Sequence, residues 1–344
     1  MSKRRGFKID GWLNLDKPLG LSSAQAVARV RRLFGAAKVG HGGTLDPLAS
    51  GILPIAFGEA TKTVAWVMDG PKEYRFTLGL GVATATDDAE GEVVATSDVR
   101  PSDAALVDVL DRFRGPIQQR PPAFSALKVA GQRAYALARD GVAVDLAPRQ
   151  VEIHDIKFLE RTDESPILWV RCGKGTYIRS LARDIAQSLG TVGHVAALRR
   201  TACGPFREAD AVTLDDLAAA AGRETAPPGG GDPAGNLLSP PVEFGHTSAL
   251  FGYLRPVVTA LDDIPALALT DREAQRLSQG MAVTLPEAGG RLTAPITTMS
   301  PAEGSAGPAT DASNGVVRAM AGDRLVAIAR IDAGLVRPVR VLNL

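Results

Sequence analysis

Cysteine is nearly missing from this chain of 344 residues, which holds two, Cys172 and Cys203. They have no metal-ligand spacing and are too few for a disulfide framework, which suits a reducing cytosol. Histidine is as sparse: His41, His154, His194 and His246 stand far apart, with no HExxH among them. No structural metal is expected from such a set. No run approaches the ~18 apolar residues that a spanning helix needs. The basic N-terminus lacks the apolar stretch of a secretory leader. The expectation is a cytoplasmic protein with no membrane segment. Excess charge is missing too. With 39 basic and 38 acidic residues the formal net charge is +1, so bulk charge carries no nucleic-acid signature. The distribution is less even than the total. Lys3, Arg4, Arg5 and Lys8 open the chain, Arg29, Arg31 and Arg32 follow, and acids gather between Asp87 and Asp111. A basic stripe on one face is masked in the sum when acids lie elsewhere.

What is there is an ordinary globular composition. Hydrophobic residues make up 45% and charged residues 22%, enough for a sizeable core in one large domain or two smaller ones. "GWLNLDKPLG" reads as a short strand ending in a turn, and Ser22 with Gln25 forms a capping-box pattern. Ala26, Val30, Leu33 and Phe34 then mark one helical face. "SDAALVDVLDRFRG" is a capped helix closed by Gly115. "PILWVRCG" is an apolar strand that turns into the helix of "KGTYIRSLARDIAQSLG", where Ile178, Leu181, Ile185 and Leu189 form the buried stripe. "VAALRRTACGPF" follows as a strand. Strands and helices alternating at uneven lengths predict an α/β or α+β body rather than a regular βαβ repeat.

The stretch "GHGGTLDPLASGILPIAFGEATK" concentrates unusual chemistry. Asp46 before Pro47 has the form of a helix start, with an N-cap carboxylate and a proline at the first helical position. A carboxylate there is held ionised by the positive end of the helix dipole. Gly42 and Gly43 let a backbone or a ligand approach closely. A fixed, ionised carboxylate beside a permissive backbone is also what a nucleophile or a general base requires. From the residues alone, a structural cap and a catalytic acid both stand.

Six blocks, in order, are similar to the TruB family of bacterial tRNA pseudouridine synthases, which act on uridine 55. They are "LDKPLGLSS", the Asp46 stretch above, "KEYRFTLGLGVATATDDAEG", "PPAFSALKVAGQRAYALARDG", "KGTYIRSLARDIAQSLG" and "GHVAALRRTACGPF". The resemblance implies a catalytic domain over residues 7–220 with the pseudouridine synthase fold, a mixed and largely antiparallel sheet flanked by helices. It implies Asp46 as the catalytic aspartate, nucleophile or general base, with Arg179 as its guanidinium partner. Such a partner stabilises the anion in a dry pocket. Tyr74, Tyr177 and Leu198 would line the pocket for an extruded base, and His41 would enter the T loop. Lys17, Lys62, Lys128 and Arg133 are candidate RNA contacts. Residues 120–150 correspond to an inserted thumb whose basic and aromatic residues suit phosphates and bases. The isomerisation needs no cofactor or metal, and the implied partner is the T stem-loop of tRNA, with no obligate protein partner and a monomer expected.

Two other readings stand beside it. One is an RNA-binding or RNA-folding protein in which catalysis is secondary. The other is a glycosidase, which requires a second carboxylate, for which Glu59 is the nearest candidate. Downstream the pattern departs from the family. A Pro/Gly-rich linker or loop is expected over 221–255, then a small β-rich PUA-like RNA-binding domain over 256–344 with a low-complexity insertion near 286–315.

Overall fold

The computed structural model describes residues 6–125, 128–129, 132–133, 146–163, 165–222, 247–285, 291–293 and 315–344. Its largest sheet runs in the order Leu254–Arg255, Gly11–Lys17, Ala49–Phe57, Gly193–Cys203, Lys72–Leu80, Ser165–Cys172, Arg149–Thr162, Gly115–Gln119. All neighbours on this path are antiparallel except one pair. The mixed, largely antiparallel sheet flanked by helices is the fold that the sequence implies.

Two helices set the two ends of the core. Helix Ser23–Phe34 begins at the Ser22/Gln25 capping box and stops at Gly35, which adopts the left-handed conformation at φ 59. Its Ala26, Val30 and Phe34 pack on Leu13, Leu15, Leu53, Ile55 and Phe57. Helix Ile178–Ser188 lays Ile178, Leu181, Ala182 and Ile185 on Phe76, Leu78, Leu168 and Val170. Each of the Ile and Leu side chains among these contributes ~1.5–3 kcal/mol when fully buried, which fixes the helix against the sheet. That docking determines where its first turn, and so Arg179, sits.

The strand Gly193–Cys203 creates the feature on which the site is built. It pairs with Lys72–Leu80 along nearly its whole length. On its other side it meets Ala49–Phe57 in the one parallel pairing of this sheet's described strands, and only over Leu198–Arg200. The sheet therefore forks before Ala49. Into the fork comes the loop of residues 84–92, whose Asp88 bridges to Val195 while Val195 N–H donates to Asp87 O at 3.0 Å. Gly51 makes the parallel contact possible: at φ 99, an added Cβ would lie 2.2 Å from the Arg200 carbonyl oxygen.

A second sheet runs in the order Val283–Thr284, Leu335–Val341, Arg324–Asp332, Gly315–Ala321, Ala266–Ala268, Leu292–Thr293, with helix Asp271–Ser278 against it. It shares a core with the large sheet, in which Val257, Leu261, Leu325, Ile328 and Leu342 pack with Trp12, Ile52 and Phe206. The end of the segment 221–255, expected as linker, carries two short elements. Helix Thr247–Phe251 buries Leu250 in the first core, and Leu254–Arg255 forms the edge strand of the large sheet. Residues 223–246, and most of the expected insertion at 286–315, lie outside the described residues. Among the described residues no helix is long and apolar enough to cross a membrane.

Candidate active site

Asp46 does not start a helix. Pro47 and Leu48 form a turn, closed by Ala49 N–H donating to Asp46 O at 3.0 Å, and the chain continues as strand Ala49–Phe57. Asp-Pro opens a tight turn as readily as a helix. The apolar run after it, buried almost throughout, selects the strand. The carboxylate is held by other means than a helix dipole.

The loop around it is tied down at nearly every residue. Gly42 N–H donates to Pro54 O at 2.8 Å. The buried guanidinium of Arg200 donates to the carbonyls of Gly43, Thr44 and Ile52 at 3.1, 3.3 and 2.6 Å. Ser23 Oγ both accepts from Leu45 N–H at 2.8 Å and donates to Leu45 O at 2.9 Å. Gly20 N–H donates to Pro47 O at 2.8 Å. A Cβ on Gly42 would lie 2.8 Å from the Val67 side chain, so the loop packs too closely there for any other residue without a shift. Asp46 is thus the free side chain of a fixed backbone, and it is 46% exposed.

Arg179 meets it. Nη2 lies 3.0 Å from Asp46 Oδ2 and also donates to Phe124 O at 2.9 Å. Nη1 donates to Thr86 O at 3.0 Å and lies 3.4 Å from Asp88 Oδ2. The arginine side chain is 8% exposed and Asp88 10%, so one buried guanidinium is shared by a buried and an accessible carboxylate. A fork of this kind prefers planar carboxylate partners, and the buried Asp88 holds it in place for Asp46. Beside Arg179 on the same helix, Arg183 pairs with Asp87 at 2.8 Å, and burial pushes the Asp87 carboxyl up against the opposing pull of Arg183.

Asp46, Asp88 and Arg179 line an open cleft whose other walls are Leu48, Ala49 and Val195 to Leu198. The fork supplies these walls: the edge of the long strand that finds no partner in Ala49–Phe57 becomes an apolar shelf beside the acid.

The other residues singled out from the sequence fall in different places. Leu198 lines the cleft. Tyr74 packs between the two apolar clusters that meet near Leu198, and burial pushes its hydroxyl up to about 12 despite Arg200 nearby. Tyr177 stands just before helix Ile178–Ser188, its ring 4.9 Å from the Arg149 guanidinium carbon. His41 ends the strand Val39–His41, and its Nδ1 accepts from Gly43 N–H at 3.4 Å. Burial, and then the field of Arg200, lower its pKa, so the imidazole is held toward its neutral form.

Two expected RNA contacts are corrected. Lys17 is fully buried, donates to Pro18 O at 2.9 Å and Leu21 O at 2.6 Å, and its pKa is lowered to about 8, by burial first and by Arg200 next. It braces a turn and presents no charge to a phosphate. Lys62 is engaged by Glu59 at 2.7 Å and by Val341 O at 2.8 Å, in the contact with the C-terminal strand. The same contact removes Glu59 as a second catalytic carboxylate, since it also accepts from Asn343 N–H at 2.7 Å. Lys128 and Arg133 belong to a short hairpin, and their side chains lie outside the described residues. Reading the sequence missed Asp88, Ser23 and Arg200, although all three lie in or beside the quoted blocks. Nothing in their spacing marks them, because each acts across the fold. Among the described residues no group of His, Cys, Asp and Glu is arranged to hold a metal ion.

Residues 31–178 match the TruB family pseudouridylate synthase N-terminal domain, and residues 179–263 match the tRNA pseudouridylate synthase B C-terminal domain. The chain is 50% identical over 343 residues to a protein of Gluconacetobacter diazotrophicus named tRNA pseudouridine synthase B, covering 99% of this chain and all of that one. It is 48% identical to the protein of the same name from Rhodospirillum rubrum, covering 99% of each. This chain belongs to the TruB family. A solved Cbf5–Nop10–Gar1 complex shares the fold at a TM-score of 0.65 and 26% identity, over 96% of this chain and 84% of that one. An archaeal box H/ACA Nop10–Cbf5 complex gives a TM-score of 0.66 at 24% identity, covering 99% of this chain and 92% of that one, a likeness of fold.

Proposed function

We propose that this protein is a tRNA pseudouridine synthase that isomerises uridine 55 in the T loop, with Asp46 as the reacting carboxylate. The observation that carries this reading is the 3.0 Å pair of Asp46 and Arg179 at an apolar cleft, in a chain half identical to full-length proteins of that name. The reaction breaks the N1–C1′ glycosidic bond, turns the uracil and rejoins it through C5, with the C5 proton leaving and N1 regaining one. No water is consumed. Asp46 serves as nucleophile or general base, and Arg179, 3.0 Å away, holds its carboxylate in place. The apolar walls from Val195 to Leu198 give the detached base a surface to rest on while it turns.

A duplex or stacked loop hides its target atom, so the uridine is turned out into the cleft, with Tyr74, Tyr177 and His41 as its neighbours. Residues 120–150 supply the thumb, with Lys128 and Arg133 on RNA phosphates. Residues 7–220 form the catalytic domain and 256–344 a PUA-like RNA-binding domain. The enzyme acts as a cytoplasmic monomer, with no metal or cofactor.

The test is direct. Unmodified tRNA transcript is incubated with the protein, and pseudouridine is mapped by carbodiimide-dependent reverse-transcription stops. A stop in the T loop is expected from the natural chain. Asp46→Asn is expected to lower the single-turnover rate by more than ~10³-fold while tRNA affinity stays within a few fold. A T loop left unmodified by the natural chain overturns the assignment and leaves an RNA-binding protein.

A further inference from the structure

Tyr177 occupies the junction of a turn and a helix: its carbonyl takes the helical bond from Leu181 N–H at 3.0 Å, and its N–H lies outside the helix ladder. Gly175, at φ 83, turns the chain out of strand Ser165–Cys172, and helix Ile178–Ser188 begins immediately after Tyr177 with no side-chain cap of its own. Arg179, two residues on, must nevertheless meet Asp46 at 3.0 Å. A further restraint, on the backbone before Arg179, comes from Gln119. This glutamine is completely buried, and its side-chain amide pairs with both backbone groups of Tyr177: Oε1 accepts from Tyr177 N–H at 2.8 Å, and Nε2 donates to Tyr177 O at 3.1 Å. A primary amide used in this two-point way imitates a neighbouring β-strand, and it fixes the peptide planes on either side of Tyr177.

A second contact comes from the residue paired with Gln119 across the sheet. Arg149 faces Gln119 in the antiparallel register, holds its guanidinium 4.9 Å over the Tyr177 ring and donates to Gly175 O at 2.6 Å. Backbone and ring of one tyrosine are therefore held by the two residues that flank 120–148. The same stem reaches the helix again, where Ser180 Oγ and Arg183 Nη2 donate to Arg120 O at 2.8 and 3.0 Å.

We propose that Gln119 is a positioning residue of the synthase reaction, which sets Tyr177 and the first helical turn so that Arg179 and the tyrosine ring meet the uridine in reacting geometry. This rests on the reading of the cleft as the uridine site. Gln119 touches neither substrate nor Asp46 and acts through Tyr177. Removing it leaves the fold and the RNA-binding surface in place and loosens the geometry at the reacting centre, where a misplacement of ~1 Å costs ~100-fold in rate.

The test is a graded pair of variants. Gln119→Glu keeps the acceptor for Tyr177 N–H and, once ionised, loses the donor to Tyr177 O, so its rate is read across a pH series; Gln119→Leu loses both. With unmodified tRNA transcript, the single-turnover rate at saturating enzyme is expected to fall about 10-fold in Gln119→Glu and about 100-fold in Gln119→Leu, with tRNA Kd within about threefold of the natural chain. Circular dichroism and a melting curve check that each variant is folded. Should Gln119→Leu fail to fold, Gln119→Glu alone decides. Rates within twofold of the natural chain in a folded variant overturn the proposal, as does a loss confined to Kd. Failure of the functional reading looks different, because the natural chain itself would then make no pseudouridine.

Discussion

Lys17 shows how much of the chemistry here is decided by single buried charges. Its ammonium is sealed beneath the turn before helix Ser23–Phe34, and its pKa falls from the ordinary 10.5 to about 8. Between these two values the unfolded chain binds the proton more tightly than the folded one, so stability rises with pH across that window. Urea midpoints of the natural chain and Lys17→Met, measured at about pH 7 and about pH 10, should show the natural chain gaining on the variant by up to ~3 kcal/mol. Equal differences at the two pH values would mean that Lys17 keeps its ordinary pKa. Arg200 is the other such charge: its donors hold carbonyls of the Asp46 loop and of Ile52, and its field lowers the pKa of both His41 and Lys17. The sequence made Asp46 and Arg179 legible, because both sit in blocks that resemble a family. It left Asp88, Ser23, Arg200 and Gln119 unmarked, because their partners lie between 22 and 157 residues away in the chain. It also offered Lys17 and Lys62 as RNA contacts, since a lysine in a motif reads alike whether its head group is solvated or sealed.

At the scale of elements, helices were the most readable. Ser22 with Gln25 and Ser102 with Ala105 N–H mark real starts, and of the stripe Ile178, Leu181, Ile185 and Leu189 the first three are buried, while Leu189, just past the helix end, is partly so. The Asp46–Pro47 start was misread for a physical reason. A local cap signature carries no information about which neighbour the following segment finds, and here that neighbour is the edge of Gly193–Cys203. The parallel pairing at Leu198–Arg200 belongs to the same class, being a contact of segments about 150 residues apart. Gly51 tests it. Any side chain there meets the Arg200 backbone at 2.2 Å in a left-handed conformation that L-residues resist. Gly51→Ala should destabilise the protein by about 2–4 kcal/mol and open the fork. The checks are a denaturant midpoint and the single-turnover rate, and a variant as stable and active as the natural chain would remove the fork from the account.

Across the whole molecule, the two sheets share an apolar core and are clasped at the C-terminal end. Lys8 Nζ donates to Asn343 O at 3.0 Å, Asn343 N–H donates to Glu59 at 2.7 Å, and Lys62 holds Val341 O at 2.8 Å. Leu342, between these clasps, is 2% exposed in a core that also contains Trp12 and Phe206. Leu342→Ala should cost about 2–4 kcal/mol and lower the melting temperature of the chain in a single transition. Two separate calorimetric transitions would show instead that the C-terminal sheet unfolds on its own.

By itself the sequence determined the parts whose causes are local or repeated along the chain: the helix starts, the apolar strands, the family blocks, and the acid and arginine those blocks carry. Only the tertiary structure decided that Asp46 opens a pinned turn at a forked sheet, that Asp88 holds Arg179 from behind, and that Glu59 and Lys62 serve the C-terminal strand. The reason is range. Capping and periodicity act over three or four residues, whereas burial and ion pairing at this site depend on segments that meet only after the sheet has formed.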